Sequence, residues 1–306
     1  MIPISPDIPI YDDSQDEFGR TPLSDLIFNS IIALAKEKHA CTVYGIYGGW
    51  GEGKTSMMNL VEKRLLDNKN NDKIVIVKFN PWQVGSEELL MGEFFKCICK
   101  DIEGEIRYFI KKYGDVLSFA AKAIPVVGQT LSSGIKSAKE ALASSESTLK
   151  EQKDQISKAI TDSGKHLLVF IDDLDRLDKE ELHTVFRLIR QVADFDNTIY
   201  VVAMDVDMAS KSIAQYFGKG STEDGRRFID KIVQVPITLP VIQKNFLIKY
   251  LQRSLHFLFE QYIPYELCHV DNIAKDVAGL FGTKRDCIRY MNQLRFVVPA
   301  VCDDCP

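Results

Sequence analysis

The chain has 306 residues, of which 45% are hydrophobic and 26% are charged, the composition of an ordinary globular protein. Its formal net charge of -5 excludes a surface that is basic as a whole, so nucleic acid is not an expected partner, although a local basic patch remains compatible with the sequence. The first twenty residues lack the basic and apolar regions of a secretory signal, and no run of about 18 apolar residues predicts a membrane-spanning helix.

The first part of the chain predicts a helix, a strand, a glycine-rich turn, a second helix and a second strand. The first helix opens with Thr21 as its N-cap and Pro22 at its first position. The strands are the β-prone runs Thr42–Tyr47 and Lys73–Phe79, and the turn is Gly48–Gly53. Apolar residues at helical spacing follow the turn, which indicates a helix that packs by one face.

The second part of the chain predicts three more strands, after a long and mostly helical stretch from about Glu88 to Lys165. The strands are His166–Ile171, Thr198–Met204 and Ile232–Ile237. A D-x-x-E capping box that starts at Asp178 opens the helix between the third and fourth strands, and the remainder of the chain is predicted to be helical. Strands that alternate with helices indicate βαβ units and a mainly parallel sheet.

The turn after the first strand fits a phosphate-binding loop. The segment GGWGEGKT at Gly48–Thr55 matches G-x-x-x-x-G-K-[ST], and its strand-then-helix context argues against a chance match in a flexible loop. Glycines let backbone N–H groups converge on phosphate oxygens, Lys54 can reach the β- and γ-phosphates, and the Thr55 hydroxyl can bind Mg²⁺. The expected nucleotide contacts are Gly48, Gly49, Trp50, Gly51, Glu52, Gly53, Lys54, Thr55 and Ser56.

Two carboxylates supply the acidic partner that the metal ion needs. The apolar third strand is followed directly by Asp172 and Asp173. We expect Asp172 to hold Mg²⁺ directly or through water, and Asp173 to orient or deprotonate the attacking water. Acidic residues also end strands for structural reasons, as caps of the next helix. Together with the phosphate loop, however, the pair favours hydrolysis of a nucleotide over its storage.

With both motifs in place, the sequence resembles the KAP family of P-loop NTPases. The resemblance covers almost the whole chain and combines several specific segments. These are GGWGEGKT with its tryptophan inside the loop, FNPWQ at Phe79–Gln83, FIDDLDRL at Phe170–Leu177, FIDKIVQVPITLP at Phe228–Pro240 and GTKRDCIRYMNQL at Gly282–Leu294.

The resemblance implies an α/β fold with a parallel sheet of the additional-strand type, in the order 5-1-4-3-2, flanked by helices. It divides the chain into the first half of the NTPase core, a helical insertion, the second half of the core and a helical C-terminal subdomain. The expected bounds are 1–101, 102–164, 165–240 and 241–306.

By the same resemblance, the segment Phe18-Gly19-Arg20 is similar to the box that lies against adenine in related ATPases. A solvated Arg20 in an N-terminal linker is the alternative. Trp50 and Trp82 could both be core aromatics, and for Trp82 we expect a place in the core.

Three arginines are candidates for stabilising the transferred phosphoryl group. Arg285 would, by the resemblance, reach the nucleotide from the C-terminal helices of the same chain. Arg226 and Arg227 lie between the fourth and fifth strands, where related ring-forming ATPases place the arginine that is offered to a neighbouring subunit. A solvated basic pair in a charged stretch is the alternative for these two.

The sequence departs from the family in two ways. Many members insert membrane spans between the two Walker motifs, whereas here Ile102–Gly164 contains only the short, interrupted apolar stretch Val116–Val127. We therefore expect a cytoplasmic protein that at most touches a membrane peripherally. The chain also stops soon after the last family segment, and we interpret it as an excised core whose effector region is absent.

The seven cysteines are odd in number and scattered, a pattern typical of reduced thiols in the cytosol. Cys302 and Cys305 have C-x-x-C spacing, which is half of a zinc site. The chain ends one residue later, so an accidental pair is the better interpretation.

These observations predict a Mg²⁺-dependent ATPase that controls an effector and assembles with itself or with an effector protein. A role in bacterial defence against phage rests on the family resemblance alone. The absence of a guanine-selecting N-K-x-D run favours ATP over GTP. An ATP-binding assembly scaffold with little turnover and a small-molecule kinase remain the alternatives; a kinase would also need an arginine-rich lid and an acceptor pocket.

Overall fold

A computed structural model describes residues 6–68, 73–84, 87–102, 104, 106–113, 150–151, 153–218, 220–262 and 269–303. Within these ranges the chain forms a five-stranded sheet in the order β2-β3-β4-β1-β5. The strands are β1 (Thr42–Tyr47), β2 (Ile74–Phe79), β3 (His166–Ile171), β4 (Thr198–Met204) and β5 (Val235–Thr238). The predicted order 5-1-4-3-2 is confirmed.

The pairs β1–β4, β4–β3 and β3–β2 are parallel, so these four strands end at the same edge of the sheet. Every residue of β3 and β4 is buried. Strands covered on both faces are continuous apolar runs rather than alternating ones, which explains why HLLVFI was recognisable in the sequence.

Nine α-helices have both ends in the described ranges. They are α1 (Thr21–Leu34), α2 (Lys54–Asp67), α3 (Glu87–Asp101), α4 (Lys179–Arg187), α5 (Val206–Tyr216), α6 (Thr222–Asp230), α7 (Lys244–Phe259), α8 (Val270–Val277) and α9 (Lys284–Asp303). Residues 106–113 and 153–162 are also helical. The middle of the predicted insertion, including Val116–Val127, lies outside the described residues.

The N-termini of α4 and α1 test the capping residues that the sequence predicts. The predicted capping box of α4 is confirmed, with the Asp178 carboxylate accepting the backbone N–H of Glu181 at 2.8 Å. The predicted N-cap of α1 is wrong by one residue, because the helix begins at Thr21 and the carbonyl of Arg20 accepts the first helical hydrogen bond, from Ser24. The N–H of Thr21 is satisfied instead by the carboxylate of Asp16 at 2.8 Å.

The chain forms two compact units. The sheet unit, residues 28–47 and 65–237, contains the sheet and a core that includes the fully buried rings of Phe94, Phe186 and Tyr200. The loop unit consists of the described residues in 1–27, 48–64 and 238–306, and its core gathers α7, α8 and α9 around residues such as Leu251 and Met291. Burial of each such side chain contributes about 1.5–3 kcal/mol. The four-part division expected from the sequence stays a prediction.

Among the helices of the described ranges, none combines the length and the apolarity that a membrane span requires.

Candidate nucleotide-binding site

The phosphate loop joins β1 to α2 and curves around Lys54. Gly51 and Gly53 have backbone φ angles of 84° and 91°, a left-handed conformation that glycine adopts without steric cost. The buried Lys54 ammonium group donates hydrogen bonds to the carbonyl oxygens of Gly48 at 3.0 Å and Gly49 at 3.2 Å. The loop therefore holds a positive charge within its own curve, next to the N-terminus of a helix, and such an arrangement suits an anionic group.

The N-terminal segment lies along the helix that follows the loop. The backbone N–H of Ile10 donates to the Ser56 hydroxyl at 3.2 Å, and Asn59 donates to the Ile10 carbonyl at 3.1 Å. The Tyr11 hydroxyl donates to the Glu62 carboxylate at 2.6 Å, one turn further along α2. Ser56 is thus engaged by its own chain, and its contact with nucleotide stays a prediction.

Arg20, which belongs to the same unit, forms hydrogen bonds with the phosphate loop and with the segment after β5. Its guanidinium group donates to the backbone carbonyl oxygens of Glu52 at 2.9 Å and Pro240 at 2.6 Å. Only 5% of the residue is exposed, so the interpretation of Arg20 as a solvated linker residue is wrong. Burial lowers the pKa of Arg20, and the carboxylates of Glu52 and Asp16 oppose that effect. Contact between this segment and adenine stays a prediction.

Arg285, predicted to act on the nucleotide within its own chain, lies beside the loop. A Cβ atom added to Gly51 would come within 3.0 Å of the Arg285 Cβ atom. The guanidinium group stands over the ring of Trp50, 5.7 Å from its centroid, and forms an ion pair with Asp7. Trp50 is 71% exposed, so it is not a core aromatic.

The two predicted acidic residues follow β3 in the sheet unit. Asp173 has a left-handed backbone with φ 59° and ψ 30°, which is uncommon for a residue other than glycine. The Asp172 carboxylate accepts the backbone N–H of Asp173 at 2.8 Å. The side chain of Asp173 is held on both sides, by Arg176 Nε at 2.9 Å from Oδ1 and by Asn80 Nδ2 at 3.0 Å from Oδ2.

Sequence reasoning missed Asn80. It follows β2 directly, and the register pairs Phe79 of β2 with Ile171 of β3. The predicted order 5-1-4-3-2 already placed the second strand beside the third, which ends at the two carboxylates. A polar residue directly after the second strand was therefore an available signal.

The prediction of a core position for Trp82 is wrong. The residue belongs to the short 3-10 helix Pro81–Gln83 and is 53% exposed. The Arg176 guanidinium group lies over its ring, 5.0 Å from the centroid. The chain turns at Asn80 and Pro81, so Trp82 does not continue the strand and is not buried with its apolar side chains.

The two arginines of α6 differ in their surroundings. Arg226 is 3.5 Å from the Asp230 carboxylate and lies over the ring of Tyr47, the last residue of β1. Tyr47 is buried, and burial raises its pKa to about 12. Arg227 forms an exposed pair with Glu223 at 3.4 Å, and 69% of its side chain is accessible.

Thr55 of the loop unit and Asp172 of the sheet unit each offer an oxygen of the kind that Mg²⁺ prefers. In the ranges that the structure describes, no group of three or more His, Cys, Asp or Glu side chains could hold a metal ion. Mg²⁺ in nucleotide sites takes most of its ligands from water and from phosphate oxygens, so a few protein oxygens are sufficient. Cys302 is a free thiol, whereas Cys305 lies outside the described residues.

Comparisons with known proteins agree with the resemblance. The pattern of the KAP family P-loop domain matches residues 20–299. A phage T7 exclusion protein of Escherichia coli (strain K12) is 28% identical over 263 residues, which cover 76% of this chain and 34% of that protein. The chain thus spans about a third of the length of this relative.

Two solved structures share only a distant likeness with the chain. The ORC1 protein of Aeropyrum pernix, solved in complex with DNA, is 13% identical, with a TM-score of 0.42 and coverage of 96% of this chain and 62% of that one. A single-residue variant of RuvB from Thermotoga maritima is 13% identical, with a TM-score of 0.42 and coverage of 93% and 64%.

Proposed function

This chain belongs to the KAP family of P-loop domains, and we propose that it binds ATP together with Mg²⁺ and hydrolyses it. The observation that carries the proposal is the phosphate loop. Lys54 is buried inside a curve of backbone that Gly51 and Gly53 make possible, at the N-terminus of α2. In the bound state its ammonium group would exchange the carbonyl oxygens of Gly48 and Gly49 for phosphate oxygens, and backbone N–H groups of the loop would hold the rest of the phosphate chain.

We assign the metal ligands from the chemistry of the motifs. The Thr55 hydroxyl and the Asp172 carboxylate would hold Mg²⁺, which supplies positive charge to the β- and γ-phosphate oxygens when it is bound. Asp173 would accept a proton from water as the water oxygen bonds to the γ-phosphorus and the bond to the β–γ bridging oxygen breaks. The products of that step are ADP and inorganic phosphate.

We assign Arg285 to the nucleotide of its own chain and Arg227 to that of a neighbouring chain. Arg285 lies beside the loop of its own unit, whereas Arg227 has the more accessible side chain of the α6 pair. Such an arrangement requires self-assembly, and the unassembled chain would hydrolyse ATP slowly.

We further propose that the nucleotide state controls an effector in cytoplasmic defence against phage. The name of the E. coli relative, a phage T7 exclusion protein, supports this role. The effector would be either a further domain of the same polypeptide or a separate protein.

Phosphate release and binding measured together test the proposal. We expect Mg²⁺-dependent release of phosphate from ATP, and loss of both binding and turnover in Lys54→Ala. Binding of ATP with no turnover at any protein concentration would support an assembly scaffold instead. Transfer of phosphate to an added small molecule, rather than to water, would support a kinase.

A further inference from the structure

Asp173 is unusually well restrained for a side chain that is partly accessible. One oxygen of its carboxylate accepts a hydrogen bond from Asn80 at 3.0 Å, and the other lies 2.9 Å from Arg176 Nε in an ion pair. Its backbone is fixed as well, because the Asp172 carboxylate accepts the N–H of Asp173 in the left-handed turn. A carboxylate has about four lone-pair positions, so these bonds fix its orientation and still leave positions for a water molecule.

Both partners of Asp173 are themselves held in place. Asn80 Oδ1 accepts the backbone N–H of Trp82 at 3.1 Å and so caps the turn that follows β2. Arg176 lies over the face of Trp82 while its Nε reaches Asp173. Arg176 and Trp82 are both substantially exposed, so the network lies at the surface of the sheet unit, at the ends of β2 and β3.

We infer that Asn80 and Arg176 are positioning residues, which hold the Asp173 carboxylate at the angle from which it accepts the proton of the attacking water. The inference rests on the proposed ATP hydrolysis. A base helps only in a narrow range of positions, and a displacement of about 1 Å can lower a rate by about 100-fold. A carboxylate freed from both donors would rotate and sample positions in which it faces no water.

The substitution Asn80→Asp separates the positioning of Asp173 from the other role of Asn80, which is to cap the turn at Trp82. An aspartate keeps the size of the side chain and the oxygen that caps Trp82, but it replaces the N–H donor with a carboxylate oxygen facing Asp173. We expect kcat for ATP to fall about 10- to 100-fold while KM stays within about twofold, because Asn80 is assigned no contact with the nucleotide. Asn80→Ser offers a hydroxyl donor in place of the amide, so its kcat should lie between those of Asn80→Asp and the parent.

Arg176→Gln tests the second partner of Asp173, because it removes the charge of the ion pair. We expect a fall in kcat of similar size with KM unchanged. Lys96→Gln is the matched control, because it removes an exposed pair of the same i,i+3 spacing, with Glu93, elsewhere in the sheet unit. Its kcat should equal that of the parent.

A double-mutant cycle provides a readout that does not depend on turnover. Asn80→Asp removes the donor and sets two carboxylates against each other, whereas Asp173→Asn alone keeps an amide oxygen that can accept from Asn80. In the combined variant the amide N–H of residue 173 can donate to the new carboxylate at residue 80, so the donor and the acceptor are exchanged. We expect the melting temperature of the combined variant to exceed the additive value by about 2 °C or more.

The outcomes separate the two proposals. A parent chain that binds ATP without turnover contradicts the proposed hydrolysis. Additive melting temperatures, or a kcat of Asn80→Asp equal to that of the parent, contradict the positioning inference. A fall in kcat together with a non-additive melting temperature supports it.

Discussion

The guanidinium group of Arg226 lies over the ring of Tyr47, 5.5 Å from its centroid, at the end of β1. The same arginine is close to two carboxylates of its own unit, Asp230 at 3.5 Å and Asp207 at 3.9 Å. An arginine engaged in this way is poorly suited to reach into another subunit. Its neighbour Arg227 has one exposed ion pair, with Glu223, which costs little to break.

We therefore predict different behaviour for the two arginines in mixed assemblies. Arg227→Ala alone should lower turnover by about 10³-fold, since an arginine that stabilises the transferred group is worth about 10³–10⁵ in rate. Mixing it with Lys54→Ala chains should raise turnover above the sum of the separate samples, because one chain then supplies the arginine and the other supplies the intact loop. Arg226→Ala mixed in the same way should show no such gain. Parent-level turnover of Arg227→Ala across a concentration series would refute a shared site.

Lys54→Ala should lower the affinity for Mg²⁺–ATP by about 100-fold or more, because a charge facing the phosphates is lost from a buried position. Calorimetric titration measures the effect, and circular dichroism verifies that the fold is retained. Lys63→Ala is the control on the same helix, since that lysine forms a partly exposed pair with Asp12. Equal affinities in Lys54→Ala and the parent would contradict the assignment of the loop.

Asp173→Asn and Asp172→Asn should separate turnover from metal binding. The Asp173 variant should bind Mg²⁺–ATP as the parent does and hydrolyse it about 10²–10⁴-fold more slowly, the contribution of a positioned base. The Asp172 variant should instead need more Mg²⁺ for half-maximal binding. Magnesium titrations of both variants decide the matter, and the reverse result would mean that the two roles are exchanged.

Arg20→Met should destabilise the loop unit by about 1–3 kcal/mol, because two hydrogen bonds from a buried charged group to the carbonyl oxygens of Glu52 and Pro240 would be lost. We also expect weaker nucleotide binding, since Glu52 belongs to the phosphate loop. Arg253→Met provides the matched control, as its guanidinium group forms an exposed ion pair with Glu17. A melting temperature of Arg20→Met equal to that of the control would show that the bridge adds no stability.

His166 predicts a dependence of stability on pH. Its ring is buried, its Nδ1 lies 3.2 Å from Nε2 of His39, and the two rings stack. Burial, then the charges of His39 and Lys73, lower the pKa of His166 below its ordinary value of 6.5. The unfolded chain therefore takes up a proton as the pH falls through about 6.5 while the folded chain does not, and stability present at higher pH is lost. The melting temperature should fall more steeply between pH 7.5 and 5.5 in the parent than in His166→Gln, and parallel curves would exclude this residue as the cause.

The strands were predictable because most are runs of apolar and β-branched residues, and β1, β3 and β4 are followed directly by glycine or aspartate. Three of them, Thr42–Tyr47, His166–Ile171 and Thr198–Met204, have the expected bounds, whereas β5 begins at Val235 rather than Ile232. The phosphate loop was predictable for a related reason, since its glycines, lysine and threonine are adjacent in the chain.

The surroundings of these motifs were not predictable, because they depend on residues that are distant in sequence. The predicted strand order made β2 and β3 neighbours, but only the structure shows that the Asn80 side chain turns towards Asp173 and donates to it. Arg20 is buried only because the chain returns at Glu52 and Pro240. Trp82 is exposed because a turn, rather than a strand, carries it. Local patterns thus predicted the elements, and tertiary contacts decided the roles of single side chains.

The strand order also has a consequence for biosynthesis. Ile74 of β2 pairs with His166 of β3, roughly 90 residues further along the chain. A ribosome adds about 5–20 residues per second, so β2 is synthesised on the order of 5–20 s before its partner strand β3. During this time an apolar segment with unpaired N–H and C=O groups is exposed, the kind of edge along which chains aggregate. We expect the yield of folded protein to depend on chaperones that shield the nascent chain until the third strand has emerged.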